Sequence, residues 1–207
     1  MDHAAANDWP AYFKAVTGKG PRETLAKALE MFAKELPPDA PPRLAVDLAC
    51  GEGRDTLELL ARGWRVIALD GHPEGLAHLR QQVRPELAPR LERAEVATFA
   101  DARWPECDLL NCSYALPFCT PDLLPDLWTR IVRSIRPGGR FAGQIFGDRD
   151  SWGRCGRTLG ISRRETERMF ERFTFDQFFE DEKDDVTTLG EPKHWHVFHI
   201  VARKRTD

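Results

Sequence analysis

The chain has 207 residues, 42% of them hydrophobic and 30% charged, enough for one well-buried core and the balance of an ordinary globular fold rather than a disordered or fibrous one. Its 33 acids against 30 bases leave a formal net charge of −3, which argues against the basic stripe of a nucleic-acid binder. No apolar run approaches the roughly 20 residues of a membrane span, and Cys50, Cys107, Cys112, Cys119 and Cys155 form no C-x-x-C pair, so a membrane, disulfides and a metal site are all unexpected.

The N-terminal stretch MDHAAANDWPAYF lacks a basic segment followed by an apolar one, so no signal peptide is read and a cytoplasmic location is expected. Trp9, Tyr12 and Phe13 precede a glycine-bearing loop with Lys19 and Arg22, a segment suited to form a lid. Within 22–36, Leu25, Leu29, Phe32 and Leu36 recur at helical steps, which predicts an amphipathic helix stopped by PPDAPP at 37–42. Strand-like apolar runs then appear at 44–48, 65–69, 95–99, 107–111 and 140–146, with helical stretches at 56–62 and 74–83.

The segment 120–136 opens on Thr120 and Pro121 and closes on Pro137-Gly138-Gly139, the punctuation of a helix. Strands alternating with helices imply βαβ crossovers and a parallel sheet covered on both faces. The tail breaks this rhythm. Ser162 and Glu165 form a capping-box pattern, and two extended segments, 173–180 and 194–202, are joined by an acidic loop. An antiparallel hairpin at the sheet edge is predicted. Three parts of a single domain follow: a lid and helix (1–42), a ligand-binding core (43–147), and a flanking segment with the hairpin (148–207).

In open α/β sheets ligands bind beyond the carboxyl ends of the strands, beside the first βα turn. Here that turn is the glycine-rich part of LAVDLACGEGRDT at 44–56, where Gly51 and Gly53 permit positive φ and a close approach to the main chain. Asp70 ends the next strand, about 20 residues past the turn, where an acid can accept hydrogen bonds from both ribose hydroxyls. A dinucleotide is disfavoured because the third glycine of G-x-G-x-x-G would fall at Thr56. Asp47, Glu52 and Asp55 crowd the loop with acid and only Arg54 opposes them. Such a pocket suits a cationic nucleoside, such as the sulfonium and ammonium groups of S-adenosylmethionine.

Taken in order, VDLACGEGRDT, VIALD, FADARW, CDLLNCSYALPF and IRPGGRFAGQIFG resemble the motif series of class I S-adenosylmethionine-dependent methyltransferases. The CGEGRDT loop and the tail GEPKHWHVFHIVARK are similar to those of the tellurite-resistance-protein-like small-molecule enzymes. The resemblance implies a Rossmann-like, doubly wound α/β fold. Its mostly parallel seven-stranded sheet would carry an antiparallel C-terminal hairpin within a three-layer αβα sandwich. It places Asp47, Ala49, Gly51 and Gly53 on the methionine part of the cofactor, with Ala49 standing where the family usually has glycine. Asp70 would take the ribose, Asp101 and Ala102 the adenine, and Asn111 the amino-acid end. Cys50, Asp55 and Gly71 belong to the same cofactor set, and Tyr12 and Arg22 would close over it and hold its carboxylate.

Methyl transfer from a sulfonium needs alignment and dryness, and a base only when the acceptor is protonated. Tyr114 is expected at the pocket mouth as gate or donor. In KHWHVFH read as a strand, His194 and His196 share one face while Trp195 and His199 share the other, and the first pair is the candidate base. Trp9, Phe146, Asp148 and Trp152 complete the expected acceptor side. NCSYALPF lacks the prolines that follow the acid or asparagine in enzymes acting on exocyclic or amide nitrogens, so DNA adenine and protein glutamine are poor acceptors. The expected partner is a small-molecule substrate, with S-adenosylhomocysteine as product, and the chain is expected as a monomer or homodimer. Oxyanions such as tellurite or selenite, thiols, and carboxylic or phenolic metabolites stay open as acceptors. A non-catalytic S-adenosylmethionine-binding protein is the alternative; a nicotinamide-dependent oxidoreductase conflicts with the glycine spacing and the acidic loop.

Overall fold

The structure, a computed structural model, describes residues 7–35, 37 and 40–206. Its strands are β1 (Leu44–Leu48), β2 (Arg65–Asp70), β3 (Leu91–Val96), β4 (Cys107–Cys112), β5 (Ile135–Phe146), β6 (Phe173–Val186) and β7 (Pro192–Lys204). They form one sheet in the order β3-β2-β1-β4-β5-β7-β6. The first five run parallel, and β7 pairs antiparallel with both β5 and β6. The strand order reverses between β1 and β4, which opens the crevice where ligands bind in such sheets.

The helices are α1 (Trp9–Val16), α2 (Glu23–Glu35), α3 (Arg54–Ala61), α4 (Pro73–Gln82), α5 (Leu124–Ser134), α6 (Ser151–Arg154) and α7 (Arg163–Met169). They cover the sheet on both sides. Leu25, Leu29 and Phe32 of α2 pack with Leu59 and Leu60 of α3 against Ala45, Leu109 and Val201. On the opposite face Leu127, Trp128 and Ile131 of α5 pack with Phe170 against Val46, Leu110 and Phe198. The expected three layers are present. Every residue of β1 is buried, as a central parallel strand requires. Leu36, expected on the α2 stripe, lies outside the described residues.

Four boundaries differ from the sequence reading. The third strand begins at Leu91 rather than near 95, because β3 is the sheet edge and its LERAEV carries only half-covered and exposed side chains instead of forming an apolar run. The fifth helix starts at Leu124 with Pro125 in its first turn, so Thr120 and Pro121 belong to the preceding loop. Residues 136–139 bulge from a ladder in which Ile135 pairs with Cys107 and Arg140 with Leu109. The acidic loop is mostly strand: β6 and β7 stay paired from Phe173 and Lys204 out to Val186 and Pro192. The dense charge of this segment is tolerated in an edge hairpin where it pairs across the strands. The Ser162–Glu165 capping box closes reciprocally at the start of α7.

Candidate functional site

The loop after β1 turns through three residues at positive φ, Ala49 (60°), Gly51 (57°) and Gly53 (95°). Gly53 caps α3, and a Cβ there would strike Leu79 of α4. A Cβ on Gly75 would come within 2.7 Å of the Gly51 carbonyl oxygen. These two glycines seat the loop against α4, and a cavity of about 570 Å³ opens above it, within the ordinary range for a small-molecule site.

Four acids stand at the floor. Asp47, at the end of β1, accepts from Thr56 Oγ1 (2.6 Å) and Asn111 Nδ2 (2.8 Å). Asp55 accepts from Asn111 Nδ2 (2.9 Å), Ser113 Oγ (2.8 Å) and the Arg22 amide (2.8 Å). One amide group thus bridges two carboxylates. Burial, then the Asp55 charge, pushes the Asp47 carboxyl up to about 7. Asp70 accepts from the Gly51 amide (2.8 Å) and the His72 amide (2.7 Å), tying the loop after β1 to the loop after β2; burial raises its pKa against those two donors. Glu52 is raised chiefly by burial, and its Oε1 is buried without a hydrogen-bond partner among the described residues.

The structure sorts the expected site residues into two groups. Tyr12, Arg22, Asp47, Ala49, Cys50, Gly51, Asp55, Asp70, Gly71, Trp9 and Tyr114 all line the cavity. Arg22 donates from its guanidinium to Tyr12 Oη (2.7 Å) and lies 4.6 Å over the Tyr114 ring. Tyr114 holds φ of 55°, and its amide donates to Gln144 Oε1 (3.0 Å).

The second group lies away from it. Asn111 is fully buried beneath the floor, its amide spent between Asp47 and Asp55, so it faces no ligand directly. Gly53 packs under Leu79 instead of facing the cavity. Asp101 is exposed, where it accepts from Thr98 Oγ1 (2.7 Å), and Ala102 is core; residues 97–100 form the wall expected of that pair. His196 is buried behind Gly147, with Nε2 against Glu180 (2.9 Å) and Arg149 (3.0 Å). His194 sits on the hairpin between Asp184 (2.8 Å) and Glu182 (3.1 Å), which raise its pKa. Neither histidine meets the cavity, because their shared strand face points away from Tyr114. Asp148 is exposed beside His196 (3.6 Å). Phe146 backs Tyr114 (6.2 Å) and Trp152 stands beyond Phe118 (6.2 Å).

Several residues were missed. His72 lines the cavity, and its Nδ1 is buried without a partner among the described residues; its place two positions past the acid of β2 was the available signal. Ser113 and Phe118 also line it. Lys193 and Asp150, both fully buried, pair beneath Trp152 and Trp195, a contact across 43 positions that no local pattern announces.

Residues 45–139 match the methyltransferase domain family. An uncharacterized methyltransferase of Synechocystis is 33% identical over 103 residues, 50% of this chain and 47% of the relative. A trans-aconitate 2-methyltransferase of Methylobacterium radiotolerans is 37% identical over 128 residues, 59% of this chain and 45% of that protein. The chain spans about half the length of these curated relatives. Among solved structures, TehB from Haemophilus influenzae superposes with a TM-score of 0.71 at 16% identity over 94% of this chain and 66% of its own. Magnesium protoporphyrin IX methyltransferase from Synechocystis, with bound SAH, gives 0.71 at 11% identity over 99% and 100%. At these identities the likeness shows the fold alone, a Rossmann-like one.

Proposed function

We propose that this chain, which carries a methyltransferase domain over residues 45–139 on a class I fold, transfers a methyl group from S-adenosylmethionine to a small molecule. The acidic floor carries the reading. Asp47, Glu52 and Asp70 all have raised pKa values, led by burial, and Glu52 Oε1 has no partner among the described residues; a cation bound there would relieve that cost. A pyrophosphate would aggravate it. The positive-φ loop and the seat at Gly75 leave the main chain bare toward the ligand, as a nucleoside needs.

When bound, S-adenosylmethionine supplies an electrophilic methyl group, taken by in-line displacement with S-adenosylhomocysteine as product. Asp70 would hold the ribose through the lone pairs its two amide donors leave free. Asp47, fixed by Thr56 and Asn111, would set the field at the methionine end. Arg22 spends one of its five donors on Tyr12 and has others for the cofactor's carboxylate. Tyr12 and Trp9, on α1, would keep water from the reacting line. Tyr114 is the proposed gate to the acceptor.

Calorimetry with S-adenosylmethionine and S-adenosylhomocysteine tests this: absence of heat at about 1 mM ligand, weaker than roughly −4 kcal/mol, would sink it. Asp70→Ala is expected to weaken the cofactor by about 1.5–3 kcal/mol, and an unchanged dissociation constant removes Asp70 as ribose partner. A binding-only protein is the second reading, favoured by the place of His194 and His196 outside the cavity. Turnover in a screen of acceptors disposes of it.

A further inference from the structure

Along one side of the cavity, aromatic side chains form a closed circuit. Trp9 lies edge-on to Phe118 (5.2 Å) and to Tyr12 (5.8 Å). Tyr12 Oη accepts from Arg22 (2.7 Å), whose guanidinium lies over Tyr114 at 4.6 Å. From Tyr114 the path runs to Trp195 (6.4 Å), to Trp152 (6.1 Å), and back to Phe118 (6.2 Å). The ring spacings are those at which aromatic edges meet faces. The members come from α1, the loop before α2, the segment after β4, α6 and β7, which no single packing motif would gather. Each is only partly buried, and Trp9, Tyr12, Arg22, Tyr114 and Phe118 line the cavity.

Large aromatic surface left half-open in one continuous band is the informative kind of exposure, since isolated apolar residues need no account and a contiguous patch does. The far arc is also held rigid. Lys193 is fully buried, its ammonium 4.4 Å from the Trp195 ring, 4.6 Å from Trp152 and 4.9 Å from Phe146. Asp150, equally buried, pairs with it and also accepts from the amides of Trp152 (3.0 Å) and His196 (3.3 Å). Trp152 and Trp195 stand outside the cavity lining and back Phe118 and Tyr114; held in this way they keep those two rings ordered before a ligand arrives, which lowers the ordering cost of binding.

We infer that this circuit is the acceptor's seat and that the acceptor is a flat, conjugated molecule. The inference deepens the methyl-transfer reading and rests on it for the word acceptor. Faces and edges presented in turn around a ring complement a thin π system on both sides; a puckered aliphatic ring meets only a few of them at contact distance. Asp47, Glu52 and Asp70 belong to the donor floor, and Asp55 reaches the circuit only through the Arg22 amide and Ser113, from which its oxygens already accept, so shape and ring surface are what the circuit offers.

The test uses 2-naphthol and its saturated counterpart decahydro-2-naphthol as probes, by calorimetry on the full chain saturated with S-adenosylhomocysteine. We expect the flat probe to bind at least about tenfold tighter, ~1.4 kcal/mol. Trp195→Leu and Trp152→Leu should each remove about tenfold of the 2-naphthol affinity, Trp195→Phe should restore most of it, and S-adenosylhomocysteine affinity should stay within about twofold throughout. Equal binding of the two probes, no heat from 2-naphthol at about 1 mM, or 2-naphthol affinity indifferent to the tryptophans would overturn the inference. If the leucine variants do not fold, the wild-type probe ratio and Trp195→Phe still decide it. The two readings fail separately: 2-naphthol bound with the same tryptophan dependence but no heat from S-adenosylhomocysteine removes methyl transfer and leaves the seat. The reverse pattern removes the seat alone.

Discussion

Ala49 holds φ of 60° at the first turn of the acidic loop, a conformation that costs an L-residue roughly 1–2 kcal/mol and glycine nothing. The glycine usual here in the methyltransferase motif that the sequence resembles has a physical motive, and the alanine retains the strain. Ala49→Gly should raise stability by about 0.5–1 kcal/mol once the looser unfolded chain is counted, read from urea midpoints at constant m. Asp47 yields a pH effect. Its carboxyl is raised from 3.8 to about 7, so near neutrality a fraction is protonated, and a cation must displace that proton to gain the charge. Cofactor affinity should therefore fall as pH drops below 7, by at most about tenfold per pH unit for one proton. Binding at pH 7 should release protons, seen as heats that differ between buffers of different ionisation enthalpy; buffer-independent heats contradict it. At this scale the acids and glycines were legible because strand ends announce themselves. The histidines were half legible. Alternation put His194 with His196 on one face of β7 and Trp195 with His199 on the other, but which face turns toward the site depends on the sheet's position in the fold, and it is Trp195 and His199 that contact Tyr114 (6.4 and 6.1 Å).

Among the elements, the β6–β7 hairpin carries the largest departure from the sequence reading and also the most costly contact. Lys193 enters the fold from β7 and Asp150 from the residue that caps α6, and burial pulls the Lys193 pKa down while Asp150 opposes the fall. Removing one partner of a fully buried pair strands the other. Lys193→Met should cost about 3–5 kcal/mol, and Lys193→Met with Asp150→Asn should recover much of it. Urea unfolding of the two variants settles this, and a single variant as stable as wild type contradicts it. The hairpin's length was hidden because its outer half is charged, and propensity reads charge as loop. Its pairing is held by cross-strand contacts such as His194 with Asp184, visible only once the register is known. β3 was displaced for the opposite reason: a true edge strand, it lacks the apolar run by which the central strands were found.

At the scale of the whole molecule, α1 covers the cavity through Trp9, Tyr12 and Phe13, and Arg157 reaches Asn7 Oδ1 (2.6 Å) from the far side. A cover held by one short helix should open more readily than the sheet. If the cofactor binds beneath it, S-adenosylhomocysteine at 100 times its dissociation constant should stabilise the closed form by about 2.7 kcal/mol. Tryptic cleavage after Lys14 and Lys19 should slow by up to about a hundredfold, whereas unchanged cleavage separates the helix from the ligand. Among the described residues no helix is long and apolar enough to cross a membrane. The sheet order was inferable in outline, since strand–helix alternation leaves few topologies, while the meeting of α1 with α6 and β7 was not, being a contact between distant parts of the chain.

The aromatic circuit has one more implication, drawn from where its members lie along the polypeptide. Trp9, Tyr12, Trp152 and Trp195 fall outside residues 44–146, whereas Asp47, Glu52, Asp55 and Asp70 fall within them. Tyr114 and Phe118 of the same circuit lie inside that block. If the circuit seats the acceptor as inferred, most of its ring surface comes from outside the stretch that holds the acidic floor, and exchanging the flanks while keeping Tyr12 and Arg22 is a direct route to altered acceptor preference.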